Sequence, residues 1–267
     1  MSYKTLLFDC RDGVAHVTMN RPDKLNAFNR DLIEDLIAAA RRIREDSTVR
    51  AVLLGAAGRA FCAGADIAEG GLLNDATVST GMNVGNRMRS HFNPMIQAWY
   101  HLPIPVVVAV NGVAAGAGAS LALAGDIVLA ARSATFMQLF APKLGLIPDL
   151  GSTYYLPRTV GTARAKGLAL LGEALSADDA RAWGLIWGVT EDSDLQAQAG
   201  KLAARLAAGP TRAFGHIKQL FNAEPPATLE EQLDRETEAQ QELGDSMDFA
   251  EGVQAFKEKR TPAFRGR

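Results

Sequence analysis

Pro105-Val106-Val107-Val108-Ala109-Val110 runs without interruption into Asn111-Gly112-Val113-Ala114-Ala115-Gly116-Ala117-Gly118-Ala119-Ser120, and this stretch decides the fold class. Its first half is a continuous β-branched run, the pattern of a strand buried on both faces of a parallel sheet. Its second half is a Gly/Ala-rich turn that opens a helix. Toward the amino terminus, Val49 to Leu54 reads as a second strand, followed by a glycine-rich loop from Gly55 to Gly64 that ends in Ala65-Asp66. Toward the carboxy terminus, Asp126 to Ala131 and Ala134 to Met137 read as strands. Between them lie amphipathic helices. Leu32, Ile33, Leu36, Ile37, Ala40 and Ile43 form one apolar face, with Asn29 as its cap; Met88, Phe92, Met95, Ile96 and Trp99 mark another, broken at Asn93-Pro94. The chain opens with an alternating hairpin around Asp12-Gly13. Strand and helix thus alternate to about residue 150, as right-handed βαβ units do. Beyond Gly161 the strand signals stop. Helical patterns cover 162–171, 177–183, 195–207, 211–221, 229–243 and 249–259, with Ser176 and Pro210 at cap and first-turn positions. This reads as one α/β core, residues 1–200, with a helical carboxy-terminal region, residues 201–267.

Composition narrows the function. The 267 residues carry 28 Lys+Arg against 30 Asp+Glu, a formal net charge of −2 that offers no broad basic field for nucleic acid. Two cysteines, Cys10 and Cys62, are too few for a disulfide framework or a four-thiolate zinc site and fit a reducing, cytoplasmic setting. The first residues lack the pattern of a signal peptide, and no window is long and apolar enough for a membrane span.

Several sites compete. Gly116-x-Gly118 resembles the start of a dinucleotide fingerprint, but the sixth position is Leu121 and Asp126 starts the next strand instead of ending it, which argues against a nucleotide site. The Gly/Ala run does expose backbone N–H groups at a helix start, although small residues for close packing explain it as well. Gly64-Ala65-Asp66 is a second such turn, in which Asp66 could cap a helix and leave the Ala65 N–H free. Two convergent donors would stabilise a thioester oxygen as it becomes an enolate. Nucleophilic hydrolysis is disfavoured because Ser120 is not in G-x-S-x-G. His16, His91, His101 and His216 show no metal-ligand pairing, so no metal is expected. Asp149, in Leu146-Ile147-Pro148-Asp149-Leu150-Gly151, is the most suggestive carboxylate: apolar flanks would raise its pKa and make it a usable proton acceptor and donor. The alternative reading is a helix cap.

Five ordered stretches, 20–28, 60–67, 110–118, 145–148 and 251–256, together resemble the crotonase, or enoyl-CoA hydratase/isomerase, superfamily over nearly the whole chain. The resemblance implies a spiral of ββα turns, a carboxy-terminal helical region that builds trimers or paired trimers, and an acyl-CoA substrate whose coenzyme A arrives as part of the thioester, with no separate cofactor. By position it places an oxyanion hole on the N–H groups of Ala65 and Ala117, where many members have glycine at the latter. Coenzyme A contacts fall on Lys24, Leu25, Ala27, Ala63 and Ile67, with Phe256 and Lys259 reaching a neighbouring subunit's ligand. One departure is informative. The two glutamates that handle water in hydratases correspond to Ser120 and to Phe140 or Ala141, none of which can act as a general acid or base. Members with this pattern carry an aspartate in the Ile-Pro-Asp turn, here Asp149, and shift double bonds. A hydratase or dehalogenase that recruits His91 and a noncatalytic acyl-CoA- or RNA-binding homologue are the rival readings.

Overall fold

A computed structural model of the chain describes residues 3–66, 75–223 and 228–267. In chain order its strands are β1 (Leu6–Arg11), β2 (Val14–Met19), β3 (Ala51–Ala56), β4 (Ala60–Cys62), β5 (Val106–Val110), β6 (Val113–Ala115), β7 (Ile127–Ala131), β8 (Thr135–Met137), β9 (Leu175–Ser176) and β10 (Gly188–Thr190). The helices are α1 (Arg30–Glu45), α2 (Thr80–Arg87), α3 (Asn93–Tyr100), α4 (Ala117–Leu123), α5 (Phe140–Leu144), α6 (Ser152–Val160), α7 (Thr162–Leu171), α8 (Ala177–Ala182), α9 (Leu195–Ala207), α10 (Thr211–Asn222), α11 (Leu229–Gly244) and α12 (Met247–Glu258).

The strands divide between two sheets, one in the order β1-β2-β3-β5-β7-β10 and one in the order β4-β6-β8-β9. Each turn of chain supplies one strand to each sheet: β3 then β4, β5 then β6, β7 then β8. This is the expected ββα spiral. Apart from the β1–β2 hairpin, the larger sheet is parallel, with Val52 opposite Val106 and Val107 opposite Ile127. All of β3 and β5 is buried, which explains why their sequences do not alternate. The hairpin turns on Asp12 and Gly13, both at positive φ, as a two-residue turn requires. On α1 the predicted cap is present, with the Asn29 side chain accepting from the Leu32 N–H, and Leu32, Ile33, Leu36, Ala40 and Ile43 are buried.

Several elements differ from the sequence reading. The loop after β3 contains β4, the Gly/Ala turn contains β6 before α4 begins, and β9 and β10 add strands beyond Gly161. Each is two or three residues long, shorter than the run of about four or more that a period-2 pattern needs to show. Helices α5 and α6 also escape the periodicity, α5 because it has five residues and α6 because Pro157 lies inside it. Pro94 does not break its helix. A π turn at Met88–Phe92, in which the Asn93 N–H bonds to the Met88 carbonyl, widens the ladder and makes room for the ring. The position between residues 200 and 201 falls within α9, which packs on β3, β5 and β7. Among the described residues no helix is long and apolar enough to cross a membrane.

Candidate active site

Two turns of backbone meet where the spiral passes from β4 to the segment after it and from β6 to α4. Gly64 has φ 96° and lies against the second turn: a Cβ on it would stand 3.0 Å from the Ala115 carbonyl oxygen and 3.7 Å from the Ala117 nitrogen. Gly118 is held as tightly from the other side, its missing Cβ falling 2.3 Å from the Cys62 carbonyl oxygen. The packing reading of the Gly/Ala run therefore holds: its small residues permit a close approach that sets the Gly64 turn against the turn that opens α4.

The hydrogen bonding fixes where the two N–H groups point. The Gly64 carbonyl accepts from the Phe28 N–H at 2.8 Å, and the Phe28 carbonyl accepts from the Asp66 N–H at 2.9 Å, an isolated parallel bridge that skips the Ala65 N–H. A trans peptide sets N–H opposite C=O, so Ala65 N–H faces away from Phe28. The Gly116 carbonyl is likewise engaged, by the Ser120 N–H at 3.0 Å and the Ser120 hydroxyl at 3.2 Å. Ala117 N–H accordingly points out of the first turn of α4. Ala117 is 2% exposed and Ala65 is exposed, and among the described residues neither N–H has an acceptor. Of the two, the Ala117 donor is the one on a buried residue, where an unpaired backbone N–H is unusual.

Asp149 approaches the second turn through α6. The Ser120 and Ser152 hydroxyls are 2.6 Å apart, with Gln138 Nε2 3.4 Å from Ser152 Oγ, and both serines are fully buried. The Asp149 side chain does not cap α6: its backbone carbonyl accepts from the Ser152 N–H, and the helix has Gly151 at its cap position without a side-chain bond. Asp149 Oδ1 is buried and has no hydrogen-bond partner. Burial pushes the carboxyl up to about 7, only partly offset by its own N–H. The flanks contribute unequally. Pro148 and Leu150 are buried, whereas Leu146 and Ile147 are 46% and 76% exposed and shield little.

The expected coenzyme A residues of the amino-terminal half are gathered by one knot of hydrogen bonds. Ala63 N–H donates to the Leu25 carbonyl at 3.0 Å, Ala27 N–H to the Lys24 carbonyl at 3.0 Å, and fully buried Asn26 ties the loop to Ala57 and Ala60 through its amide. Lys24 and Ala63 are exposed beside this knot. Ile67 lies outside the described residues. Phe256 and Lys259 are exposed on the carboxy-terminal helices, and the tail after α12 is fastened by Arg50, which donates to the Phe264 carbonyl at 3.0 Å. Arg50 precedes β3, whereas the Ala65 turn follows the other end of that strand. The chain's own fold thus anchors this tail beside the start of β3.

Sequence reasoning missed one further support. Asp66 is the buried partner of Arg21, with side chains 8% and 10% exposed, 3.2 Å apart; the helix it was expected to cap would fall outside the described residues. Arg21 also donates to the Ala27 carbonyl, so a single guanidinium joins the Lys24–Ala27 loop to the residue after Ala65. The signal was present as Arg21 and Asp66, but 45 residues separate them. Cys62 packs beneath the same turn, and burial pushes its thiol up to about 12, which excludes a nucleophilic role. His91 lies on the π turn with its Nδ1 2.6 Å from the Ser90 hydroxyl.

The ββα spiral is the fold of the enoyl-CoA hydratase/isomerase family, to which this chain belongs: the family matches residues 9–267. The chain is 48% identical over 265 residues to the 1,2-epoxyphenylacetyl-CoA isomerase of Escherichia coli, covering 98% of each, and 46% identical over 267 residues to a protein of Rhodobacter capsulatus named probable enoyl-CoA hydratase, covering 100% of each. Among solved structures, an enoyl-CoA hydratase from Bacillus anthracis superimposes with a TM-score of 0.89 at 33% identity, over 99% of this chain and 100% of that one. The family makes the chain an acyl-CoA enzyme of the hydratase/isomerase type.

Proposed function

We propose that this enzyme is an acyl-CoA isomerase that shifts a double bond, or rearranges a ring epoxide, through a thioester enolate. The observation that carries the reading is Asp149, whose Oδ1 is buried and without a partner, in a chain whose hydratase positions hold only Ser120, Phe140 and Ala141. Hydration needs groups to position and deprotonate a water, whereas moving a double bond needs one base that takes a proton and returns it elsewhere. Ionised Asp149 removes a proton from the carbon next to the thioester carbonyl or from its vinylogue. The electron pair moves onto the carbonyl oxygen, which the Ala65 and Ala117 N–H groups hold as a dienolate. Protonated Asp149 then gives the proton back at another carbon, and the base is restored with no change in mass. A carboxyl near 7 suits both halves of that exchange.

Lys24, Leu25, Ala27, Ala63 and Ile67 are assigned to coenzyme A, with Lys24 offering its ammonium to phosphate. Phe256 and Lys259 complete a neighbouring subunit's site in a trimer or pair of trimers, a reading that their exposure supports. The Escherichia coli relative's name supports reading a ring-epoxide thioester as one substrate, and a role in phenylacetate breakdown is part of this proposal. The Rhodobacter capsulatus relative's name keeps water addition as the competing reading. Incubation with a panel of unsaturated acyl-CoA thioesters, followed by mass and ultraviolet spectra, separates the two: products of unchanged mass support isomerisation, and products heavier by one water overturn it.

A further inference from the structure

The Asp149 carboxyl is tied to no other side chain: Oδ1 has no partner, α6 takes no cap from it, and the one group that lowers its pKa is its own N–H, so its direction is set by the backbone around it. That backbone is unusual: Leu150 and Gly151 both lie in the left-handed region, at φ 50° and 83°, a conformation that a leucine avoids unless its surroundings impose it. The surroundings are largely one residue. Tyr155, in the first turn of α6, donates its hydroxyl to the Leu150 carbonyl, and the same hydroxyl stands 3.2 Å from the Ser120 carbonyl in α4. Its ring lies against Gly151, where a Cβ would fall 2.7 Å from Cε1, and stacks on Tyr100 with ring centres 6.2 Å apart.

We infer that Tyr155 is a positioning residue, whose hydroxyl fastens the Leu150 carbonyl to α4 and thereby fixes the Asp149 carboxyl relative to the Ala117 N–H. This rests on the isomerase reading above. The ring alone would fill the space; only the hydroxyl spans the two carbonyls. Burial pushes the Tyr155 phenol up, so it stays a donor at every working pH. The titratable groups on this side are Tyr155 and, behind it, Tyr100, and among the described residues no charged side chain shifts the Asp149 carboxyl.

The test compares wild type, Tyr155→Phe and, as a control of the same chemistry one residue away, Tyr154→Phe. Kinetics on a β,γ-unsaturated acyl-CoA give kcat and KM. A titration of the Asp149 carboxyl by ¹³C NMR, its signal assigned by loss in Asp149→Asn, reports the site without turnover. We expect Tyr155→Phe to lower kcat about 10- to 100-fold, because a displacement of order 1 Å suffices for that, and to leave KM within about threefold. The carboxyl's midpoint should fall from about 7 by about half a unit or more as water reaches it. Tyr154→Phe should keep kcat within about twofold. A Tyr155→Phe enzyme with kcat within about twofold of wild type, or a loss shared equally by Tyr154→Phe, would overturn the inference. If wild type isomerises no thioester, the functional reading fails, and the midpoint alone then decides: a fall specific to Tyr155→Phe sustains the positioning role and an unmoved midpoint refutes it.

Discussion

At Asp149, the burial that lifts the carboxyl to about 7 also destabilises the folded state whenever the group ionises. The unfolded chain releases this proton near the ordinary value of 3.8, the folded chain only near 7. Stability conferred by the protonated form is therefore complete below about pH 4 and is lost as pH rises through 7. At about 1.4 kcal/mol per unit the shift corresponds to ~4 kcal/mol, which water entering the pocket reduces. Asp149→Asn keeps the neutral shape, so it should be more stable than wild type by roughly 1–4 kcal/mol at pH 8 and lose that advantage below pH 4, measured by urea unfolding. A variant less stable than wild type at pH 8 would contradict the account of the buried carboxyl. Activity should move in the opposite sense, with wild-type kcat/KM rising through a midpoint near 7. Ser120 differs in kind. Its hydroxyl serves Gly116 and Ser152 and transfers no proton, so Ser120→Ala should cost about 1–3 kcal/mol of stability through the unpaired Ser152 while leaving turnover within a few fold. A collapse of turnover comparable to that of Asp149→Asn would show that Ser120 takes part in the chemistry.

The donor turns belong to the scale of elements, since no side-chain truncation removes a backbone N–H. Ala65→Pro deletes one donor without breaking a hydrogen bond of the fold, because the bridge to Phe28 uses only the Gly64 carbonyl and the Asp66 N–H. We expect a rate lower by about 10²- to 10³-fold in a protein whose circular dichroism and oligomer size match wild type, with Ala65→Gly within about tenfold. A folded Ala65→Pro enzyme as fast as wild type would remove this donor from the site. The same scale shows what the sequence reveals. Helices α1 and α9 are legible because ten or more residues repeat one burial pattern, and β5 because five consecutive residues are apolar. The second sheet is not, since β4, β6, β8 and β9 are each at most three residues long and its order comes from the spiral, not from local preference. Ala65 and Ala117 are legible only through the glycines beside them, whose lack of Cβ the close approach demands. Tyr155 is illegible: an aromatic residue in a short helix reads as core, and its role depends on two carbonyls, one of them 35 residues away.

Across the whole molecule, the carboxy-terminal helices leave Phe249, Val253 and Phe256 exposed, lining a groove of about 820 Å³ with Phe264. If these helices meet a second and third subunit, light scattering should give a trimer or a multiple of it, and a fully active monomer would contradict the shared site. Lys259→Ala should weaken binding of acyl-CoA in titration calorimetry, and added salt should weaken it in wild type, because an exposed ammonium acting on phosphate is screened over ~8 Å at physiological ionic strength. Equal affinities for wild type and variant would remove Lys259 from the site. The proposed function rests on one claim, that a single carboxyl carries a proton between two carbons of a thioester enolate. The most direct measurement is the conversion of a β,γ-unsaturated acyl-CoA to its conjugated isomer by wild type and by folded Asp149→Asn, followed by ultraviolet absorbance and product mass. The account predicts conversion at unchanged mass by wild type and its near-complete loss in Asp149→Asn, with thioester affinity kept within a few fold; retention of most of the turnover by Asp149→Asn would contradict it.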